Sequence, residues 1–392
     1  MSRPAVTRLG LRRRLALNLA DNLRKSYVRE HSLRQLFWEC TLRCNLSCRH
    51  CGSDCKATAG CKDMPIEDFI PVLDSIAAAT DPHRVMVIIS GGEPLMRKDL
   101  ERCGRIIYEK GFAWGMVTNG YALTPARYRQ LLQSGLRSMT ISLDGLQDNH
   151  DWMRGREGSF ERAIAAIRMV TRSNAECPDP ERAIAFDVVT CVNRRNYAQL
   201  PQIRDLLIDA GVKEWRLFTV FPVGRAANDP ELKLTPEEFR GLMEFIKDNR
   251  KGGPVKASYG CEGFLGRYEG DVRDGFFFCR AGVSVGGVLS DGSISACTSI
   301  RSDYHQGNIY RDDFMEVWNT RFQPYRDRSW MRKGDCASCR WWKHCEGGGM
   351  HLRDASGNLL FCHYQKLTEP GRSLSRPGDG SGAGGGEPAS RP

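Results

Sequence analysis

Residues 36–51 read Leu36-Phe-Trp-Glu-Cys40-Thr-Leu-Arg-Cys44-Asn-Leu-Ser-Cys48-Arg-His-Cys51, an apolar run followed at once by three closely spaced cysteines. The run at 36–40 predicts a strand, and the cysteines, in C-x3-C-x2-C spacing, form the loop after it. In a parallel sheet with helical crossovers, such a loop lies at the carboxyl edge, where sites are built. Three thiolates from one loop hold three corners of a cubane iron–sulfur cluster and leave the fourth iron open, whereas electron-transfer clusters use four cysteines.

The rest of residues 35–250 alternates short apolar runs with helical patterns. Further strands are predicted at 85–89, 113–118, 138–143, 184–190 and 214–220. Helices are predicted at 66–79, 100–110, 125–134, 160–171, 197–210 and 236–250, the last begun by Thr235 as N-cap and Pro236 at the first helical position. The alternation predicts an α/β fold with right-handed crossovers and a parallel sheet. Six units are too few for a closed eightfold barrel, so we expect a partial (βα)6 TIM-type barrel or an open doubly wound sheet.

Composition sets the class of protein. The chain has 392 residues, 41% of them hydrophobic and 27% charged, which excludes a wholly disordered chain. It contains no apolar run of about eighteen residues and no secretory signal, so we expect no membrane span and a cytoplasmic location. Sixteen cysteines in such a chain favour metal or redox chemistry over a disulfide framework.

The net charge of +10 is unevenly distributed. Eight Arg or Lys against Asp21 and Glu30 give +6 within residues 1–30, which leaves +4 for the rest of the chain. No extended polyanion-binding face is indicated, so no nucleic-acid partner is expected. Residues 1–34 are predicted as a basic helical arm that packs on the body, and binding to an anionic membrane or a partner is the alternative.

The alternation of strands and helices stops after residue 250. Residues 251–260 are predicted as a linker. Residues 261–365, with seven cysteines and many Gly, Trp and turn residues, are predicted as a small domain stapled by metal. Residues 366–392 end in a segment rich in Gly, Ser and Pro, which predicts a disordered tail.

The residues alone leave alternatives open for the first cysteine cluster. A zinc knot requires four nitrogen or sulfur ligands, and His50 or Cys55 completes such a set. A thioredoxin-type pair at Cys48 and Cys51 does not need Cys44. Cys55 and Cys61 are further candidates to face the site, whereas Cys191, at a strand end, is expected to be buried.

The C-x3-C-x2-C loop after the first strand of a (βα)6 chain resembles that of the radical S-adenosylmethionine (SAM) enzymes. The resemblance implies that Cys44, Cys48 and Cys51 hold a [4Fe–4S] cluster whose open iron chelates SAM. One electron, from a reducing flavodoxin or ferredoxin, then cleaves the sulfonium and releases a 5′-deoxyadenosyl radical that abstracts hydrogen. Because the cofactor carries this chemistry, the protein's part is to position it.

Companion motifs after successive strands support the resemblance. Ser90-Gly-Gly-Glu-Pro94 resembles the GGEP segment that meets the methionine amine, and Pro222-Val-Gly-Arg225 resembles a family segment to which we assign no role. Thr118-Asn-Gly120 ends the third strand and Ser142-Leu-Asp-Gly145 the fourth, with short polar groups suited to ribose and methionine oxygens. An ordinary turn is the alternative at Gly91-Gly92, Asn119-Gly120 and Asp144-Gly145. The resemblance implies cofactor binding by His50, Gly91, Gly92, Glu93, Pro94, Asn119, Ser142, Asp144, Arg154 and Asn193. His50 is expected near the adenine, Arg154 near the SAM carboxylate and Asn193 near the ribose.

The later cysteines resemble the SPASM domain, which extends radical SAM enzymes and holds auxiliary [4Fe–4S] clusters. By this resemblance, one cluster is ligated completely by Cys336, Cys339, Cys345 and Cys362, and the other by Cys261, Cys279 and Cys297. A zinc ribbon is the alternative for the first of these two sets.

The pattern departs from the SPASM family at one position. The family usually has a further cysteine four residues after Cys345, where this chain has Gly349. The cluster at Cys261, Cys279 and Cys297 is therefore left with an open iron, gains a substitute ligand such as His351, or is absent. We accordingly expect one or two auxiliary clusters.

The resemblance also bears on the substrate. Sulfatase maturases carry an Asp, which takes a proton from the substrate, directly after the cysteine that corresponds to Cys297; Thr298 cannot do this. We therefore expect oxidation or crosslinking of another peptide or small protein substrate, with the basic arm as a candidate dock for a leader peptide. A radical SAM dehydrogenase of a small-molecule biosynthetic intermediate is the first alternative, and a non-catalytic iron–sulfur or zinc protein is the second.

Overall fold

The computed structural model describes residues 9–58, 60, 62–260, 262–300 and 302–369. Within these ranges ten strands form one sheet: β1 (Gln35–Thr41), β2 (Met86–Gly91), β3 (Ala113–Thr118), β4 (Leu136–Ser142), β5 (Ala185–Val192), β6 (Glu214–Thr219), β7 (Lys256–Tyr259), β8 (Val285–Val288), β9 (Ser293–Ser295) and β10 (Gly307–Asn308).

The same ranges contain twelve α-helices. They are α1 (Leu11–Glu30), α2 (Ile66–Ala79), α3 (Leu100–Glu109), α4 (Pro125–Gln133), α5 (Gln147–Arg154), α6 (Ser159–Ala175), α7 (Leu200–Asp209), α8 (Pro236–Asn249), α9 (Phe314–Thr320), α10 (Gln323–Arg326), α11 (Trp342–Cys345) and α12 (His363–Thr368). No helix of the described residues is both long and apolar enough to cross a membrane.

The sheet is parallel over most of its width. Strands β1 to β7 lie side by side in chain order, and β8 runs parallel along the other side of β1. The short strands β9 and β10 extend the sheet in antiparallel pairing. The predicted α/β class is confirmed, a partial TIM-type barrel is consistent with this strand order, and the six predicted strands all form within two residues of their expected ends.

The local sequence explains why the elements form where they do. Trp38 of β1 is wholly buried and stacks on Phe69 of α2, with the ring centroids 4.6 Å apart, so this face of the strand packs on a helix. Helix α8 begins with the expected cap: the Thr235 side chain accepts from the Glu238 N–H, and the Glu238 carboxylate accepts from the Thr235 N–H.

Two features correct the sequence predictions for this region. Strand β7 lies inside residues 251–260, the predicted linker, and pairs with β6. In this four-residue strand only Ala257 and Tyr259 are buried. The alternation of apolar and polar residues is therefore too short to predict a strand so soon after Gly252-Gly-Pro254. Helix α5 is absent from the predictions because most of its residues are polar.

Helix α1 packs on the body, as predicted for the arm, and the side that it buries combines apolar and charged residues. Its inner face buries Leu17, Asp21 and Arg24, and Arg24 lies 3.0 Å from the carboxylate of Glu346. The opposite face carries leucines that are 55–74% exposed, namely Leu11, Leu15, Leu19 and Leu23. Four of the five leucines of this helix therefore face solvent.

At the other end, α12 continues to Thr368, so the start of the predicted tail at residue 366 is wrong. Leu367 is wholly buried, and Arg240 of α8 donates to the carbonyls of Leu367 and Glu369. This packing fixes the last turn of the helix. Residues 370–392, and with them most of the predicted tail, lie outside the described residues.

Candidate active site at the carboxyl edge of the sheet

The loop after β1 brings three thiols together. Cys44 and Cys48 are buried beside Leu46, with Cys51 half-buried next to them. Burial raises the pKa of Cys44 to about 12, and the thiols of Cys48 and Cys51 also raise it. The structure thus packs the three predicted cluster ligands together at the carboxyl edge of the sheet.

Residues from distant loops hold this cysteine loop in place. Arg225, after β6, donates from Nε to the Cys48 carbonyl at 2.7 Å and from a terminal nitrogen to the Cys55 carbonyl at 3.1 Å. A side chain on Gly224 has no room, because its Cβ would lie 2.5 Å from the Cys51 carbonyl oxygen. These contacts assign a positioning role to the segment at 222–225, which the sequence left without one.

Cys55 is a fourth thiol at the loop. It is buried and shares a hydrogen bond with the Cys51 thiol, which lowers the pKa of Cys51 to about 5 and raises that of Cys55. Of the two extra candidates in this loop, Cys55 therefore reaches the cluster ligands, whereas Cys61 lies outside the described residues.

The glycine pair after β2 allows two backbone segments to approach each other. A Cβ on Gly91, whose φ is +136°, would lie 2.1 Å from the Thr41 carbonyl oxygen, and one on Gly92 would lie 2.3 Å from that of Arg43. The Gly92 N–H donates to Thr41. The backbone at Gly91 and Gly92 lies so close to the chain at and after the end of β1 that only glycine fits at either position.

Glu93 and the buried Pro94 follow this pair, and Glu93 ties β2 to β3. Its carboxylate is buried and accepts from the Thr118 hydroxyl at 2.7 Å, the Asn119 N–H at 2.8 Å and the Leu95 N–H at 3.1 Å. Burial raises the pKa of Glu93 even though these donors favour the carboxylate. Asn119 in turn donates from its side chain to Asn45 in the cysteine loop at 2.8 Å.

A buried ion pair links α5 to the end of β4. Arg154 lies 2.7 Å from Asp144 and points a second nitrogen at the Cys48 sulfur, 3.7 Å away. Asp144 also accepts from the Cys191 N–H at 2.8 Å. Although burial opposes the charged form, Arg154 foremost holds the pKa of Asp144 below its usual value. The pair therefore carries charge directly beside a candidate cluster ligand.

His50 and Cys191 complete a compact polar group around Asp144. The ligand atoms of these three residues all lie within 4.8 Å of one another. Burial lowers the pKa of His50 to about 4, so its imidazole is neutral near pH 7. The sequence analysis predicted Cys191 to be buried and did not assign it to the site. Its position at the carboxyl end of β5 was the one feature of the sequence that pointed to the site. Cys191 is half-buried.

Ser142 is the last residue of β4, and Asn193 directly follows β5. Ser142 is 9% exposed. The Asn193 amide is used within its own turn, where Oδ1 accepts from the Arg195 N–H and Nδ2 donates to the Cys191 carbonyl. A ribose contact by Asn193 stays a prediction.

The site retains unsatisfied polar atoms suited to a polar ligand. Within the described ranges, Nδ1 of His50, Oγ of Ser90 and Nε of Arg154 are buried without a hydrogen-bond partner. Such atoms are costly unless something binds them. The site thus combines three adjacent thiols, a neighbouring guanidinium and these unpaired polar atoms. This set of groups fits an iron–sulfur cluster that carries a charged, polar ligand.

A second thiol cluster lies at the far end of the chain. One cavity is lined by Cys336, Cys339, Cys345 and Cys362 together with Trp341 and Trp342. Burial raises the pKa of Cys345 to about 12, and the other three thiols raise it as well. The buried guanidinium of Arg353 lies 3.1 Å from the Cys336 sulfur. All four predicted ligands of one auxiliary cluster are thus brought together, and the tryptophans pack around them.

The other auxiliary set is described in part. Cys279 is buried and Cys297 is half-buried. After burial as the main cause, both thiols raise the pKa of Tyr325. Arg328 donates to the Cys279 carbonyl at 3.1 Å. Cys261 lies outside the described residues.

Comparison with known proteins agrees with this geometry. Residues 38–207 match the radical SAM superfamily, and residues 279–345 match the SPASM iron–sulfur cluster-binding domain. The mycofactocin maturase MftC of Mycolicibacterium smegmatis is 30% identical over 328 residues, 82% of this chain and 79% of that protein. The chain belongs to the radical SAM superfamily. As a radical SAM enzyme with a SPASM domain, it uses a [4Fe–4S] cluster and SAM and carries auxiliary iron–sulfur binding.

This radical SAM protein is also similar to a heme synthase and, in its fold, to a solved structure. An AdoMet-dependent heme synthase of Methanosarcina barkeri is 25% identical over 358 residues, 85% of this chain and 97% of that protein. The crystal structure of Streptococcus suis SuiB bound to S-adenosylmethionine superposes with a TM-score of 0.63 at 18% identity, covering 84% of this chain and 77% of SuiB. At that identity the likeness shows a shared fold alone.

Proposed function

We propose that this radical SAM enzyme oxidatively modifies a peptide or small protein, by dehydrogenation or crosslinking. The observation that carries the proposal is the 30% identity to a maturase, MftC, over 82% of the chain. The reducing electron is proposed to come from a flavodoxin or ferredoxin.

We propose that the cluster that binds SAM is held by Cys44, Cys48 and Cys51. Bound there, the cluster and SAM supply hydrogen abstraction after one-electron cleavage of the sulfonium. Asp144 holds the Arg154 guanidinium beside Cys48, where Nε is free to take the SAM carboxylate. The other proposed contacts are His50, Gly91, Gly92, Glu93, Pro94, Asn119, Ser142 and Asn193.

Cysteine variants test the cluster assignment. After anaerobic reconstitution with iron, sulfide, dithionite and SAM, Cys48→Ala is expected to abolish formation of 5′-deoxyadenosine. Cys55→Ala is the matched control, because Cys55 is a buried thiol of the same loop that lies outside the C-x3-C-x2-C spacing. If both variants lose the activity equally, a set of four cysteines replaces the proposed set of three.

The exposed face of α1 supports a peptide partner. Leu15 and Leu19 are 61% and 62% exposed, and basic residues surround the leucines, namely Arg12, Arg14, Lys25 and Arg29. This surface complements a leader peptide that combines acidic and apolar residues. Replacing Leu15 and Leu19 by Ser is expected to weaken peptide binding while leaving SAM cleavage without peptide unchanged; equal peptide binding by both proteins contradicts the docking proposal.

A tetrapyrrole is the second candidate substrate, because the heme synthase relative aligns over 97% of its own length. The reconstituted enzyme is incubated in parallel with short peptides encoded beside its gene and with iron-coproporphyrin III. A peptide whose mass falls by about 2 Da per dehydrogenation or crosslink, with SAM consumed, supports the proposal. Conversion of the porphyrin, with every peptide unchanged, contradicts it in favour of the second candidate.

A further inference from the structure

Gly349 leaves the auxiliary cluster expected at Cys279 and Cys297 short of a cysteine ligand. The chain around it is ordered by contacts to both sides: the Gly349 N–H donates to the Glu262 carbonyl at 3.1 Å, and the Gly348 carbonyl accepts from Arg328 at 3.2 Å. The position therefore has a defined direction in which a side chain would point.

The ring of His351 fills the place of that missing side chain. A Cβ built on Gly349 would lie 2.6 Å from Cε1 and 2.9 Å from Nδ1 of His351, and 2.7 Å from the Glu262 carbonyl oxygen. A cysteine sulfur lies less than about 2 Å beyond its own Cβ. The imidazole atoms are therefore located where the sulfur of a cysteine at 349 would reach.

The same segment is attached to Cys279. The Met350 N–H donates a hydrogen bond to the Cys279 thiol. Arg328 joins the two stretches of chain, because one of its nitrogens donates to the Gly348 carbonyl and another to the Cys279 carbonyl. His351 thus follows directly on a residue that touches a predicted ligand of this cluster.

The imidazole is available for binding. Its ring packs on Phe221, with the centroids 4.9 Å apart, and no hydrogen bond links it to another described residue. The neighbouring carboxylate of Glu262 is by contrast already shared among Thr219, Tyr259 and His363. Of these two side chains, His351 is the one whose ring nitrogens are not hydrogen-bonded to another described residue and could coordinate iron.

We propose that His351 ligates the auxiliary iron–sulfur cluster of Cys279 and Cys297 in place of the cysteine that Gly349 lacks. Imidazole is an established substitute for thiolate on cluster iron. A neutral imidazole also leaves the cluster one unit less negative than a fourth thiolate, which favours acceptance of an electron. This inference goes beyond the substrate proposal and does not depend on it.

Pulsed EPR of the full chain tests the ligand directly. The protein is grown with 15N-histidine, reconstituted anaerobically and reduced without SAM, so that no SAM nitrogen contributes. The reduced clusters are expected to show coupling to a histidine 15N nucleus. His351→Ala is expected to lose this coupling, and His83→Ala, an exposed histidine remote in sequence from the cysteines, is expected to retain it.

A second variant guards against simple loss of the cluster. His351→Cys replaces the imidazole by a thiol at the same position, whereas a cysteine at 349 would clash with the Glu262 carbonyl oxygen even without the ring. This variant is expected to recover the iron content of the natural chain, up to four atoms above His351→Ala, without histidine coupling. The proposal is overturned if the natural chain is fully loaded with iron and shows no histidine coupling, as an acid–base role of His351 would give, or if the coupling survives in His351→Ala.

Discussion

Replacing Asp144 by Asn isolates the energetic effect of the buried ion pair at the candidate active site. The change is nearly isosteric, and the remaining amide oxygen still accepts from the Cys191 N–H. It removes the negative charge that faces Arg154 at 2.7 Å. Because the Asp144 side chain is 0% exposed and that of Arg154 is 8% exposed, water cannot replace the lost partner.

Loss of one partner from a buried pair costs about 3–5 kcal/mol, whereas exposed pairs contribute about 0.2–1 kcal/mol. The Arg168–Asp209 pair is a matched control, with the same 2.7 Å separation but side chains 51% and 69% exposed. Asp209→Asn is therefore expected to cost several-fold less free energy of unfolding than Asp144→Asn. The separation of the charges is equal, so the comparison chiefly measures the effect of burial.

Urea unfolding of the reduced, cluster-free chains at pH 7 measures both costs, with circular dichroism and tryptophan fluorescence required to give coincident transitions. Adding Arg154→Met to Asp144→Asn is expected to recover much of the loss, since no unpaired charge is then buried. Equal destabilisation by Asp144→Asn and Asp209→Asn would refute the reasoning.

Three further outcomes are expected. Thr235→Ala removes the side-chain cap of α8 and lowers the unfolding free energy by about 1 kcal/mol, whereas Thr320→Ala, near the end of α9, has a smaller effect in the same urea assay. Burial lowers the pKa of His150 to about 4 in the folded chain, so the unfolded chain binds one more proton between about pH 6.5 and 4. Stability is lost as the pH falls through this window, by up to about 3 kcal/mol, and urea midpoints of His150→Asn are expected to fall less steeply. Arg353→Met removes a positive charge from the Cys336 sulfur and makes the midpoint potential of that cluster more negative in an EPR redox titration, with an unchanged potential as the contrary result.

The features that could be predicted from the sequence are those formed by residues close together in the chain. The strand before Cys44 and the spacing of the three cysteines lie within sixteen residues, so the pattern can be recognised without a fold. Glu93 was also recognised, but its role was not: its carboxylate bonds to Thr118 and Asn119, which are 25 and 26 residues away. A motif shows that a residue matters without showing which atoms it contacts.

Residues that act across the fold carried no such signal. Arg225 reaches the Cys48 carbonyl over 177 residues of sequence, and Cys191 joins His50 only because β5 and the cysteine loop end at the same edge of the sheet. Helix α1 was recognised as a helix, but its orientation was not, since its buried side includes the charged pair Asp21 and Arg24. Tertiary contacts decided these points.

Buried arginines at the three candidate cluster sites connect folding to cofactor loading. Arg154 lies against Cys48, Arg328 hydrogen-bonds the Cys279 thiol, and Arg353 lies against Cys336. In the cluster-free chain Asp144 compensates Arg154, and main-chain carbonyls compensate Arg328 and Arg353. A neutral thiol adds little to this compensation. A cluster turns the thiol into a ligating thiolate and strengthens that compensation, so its binding adds to the stability of the fold. We therefore expect cluster loading to stabilise the fold partly through the arginines beside these ligands.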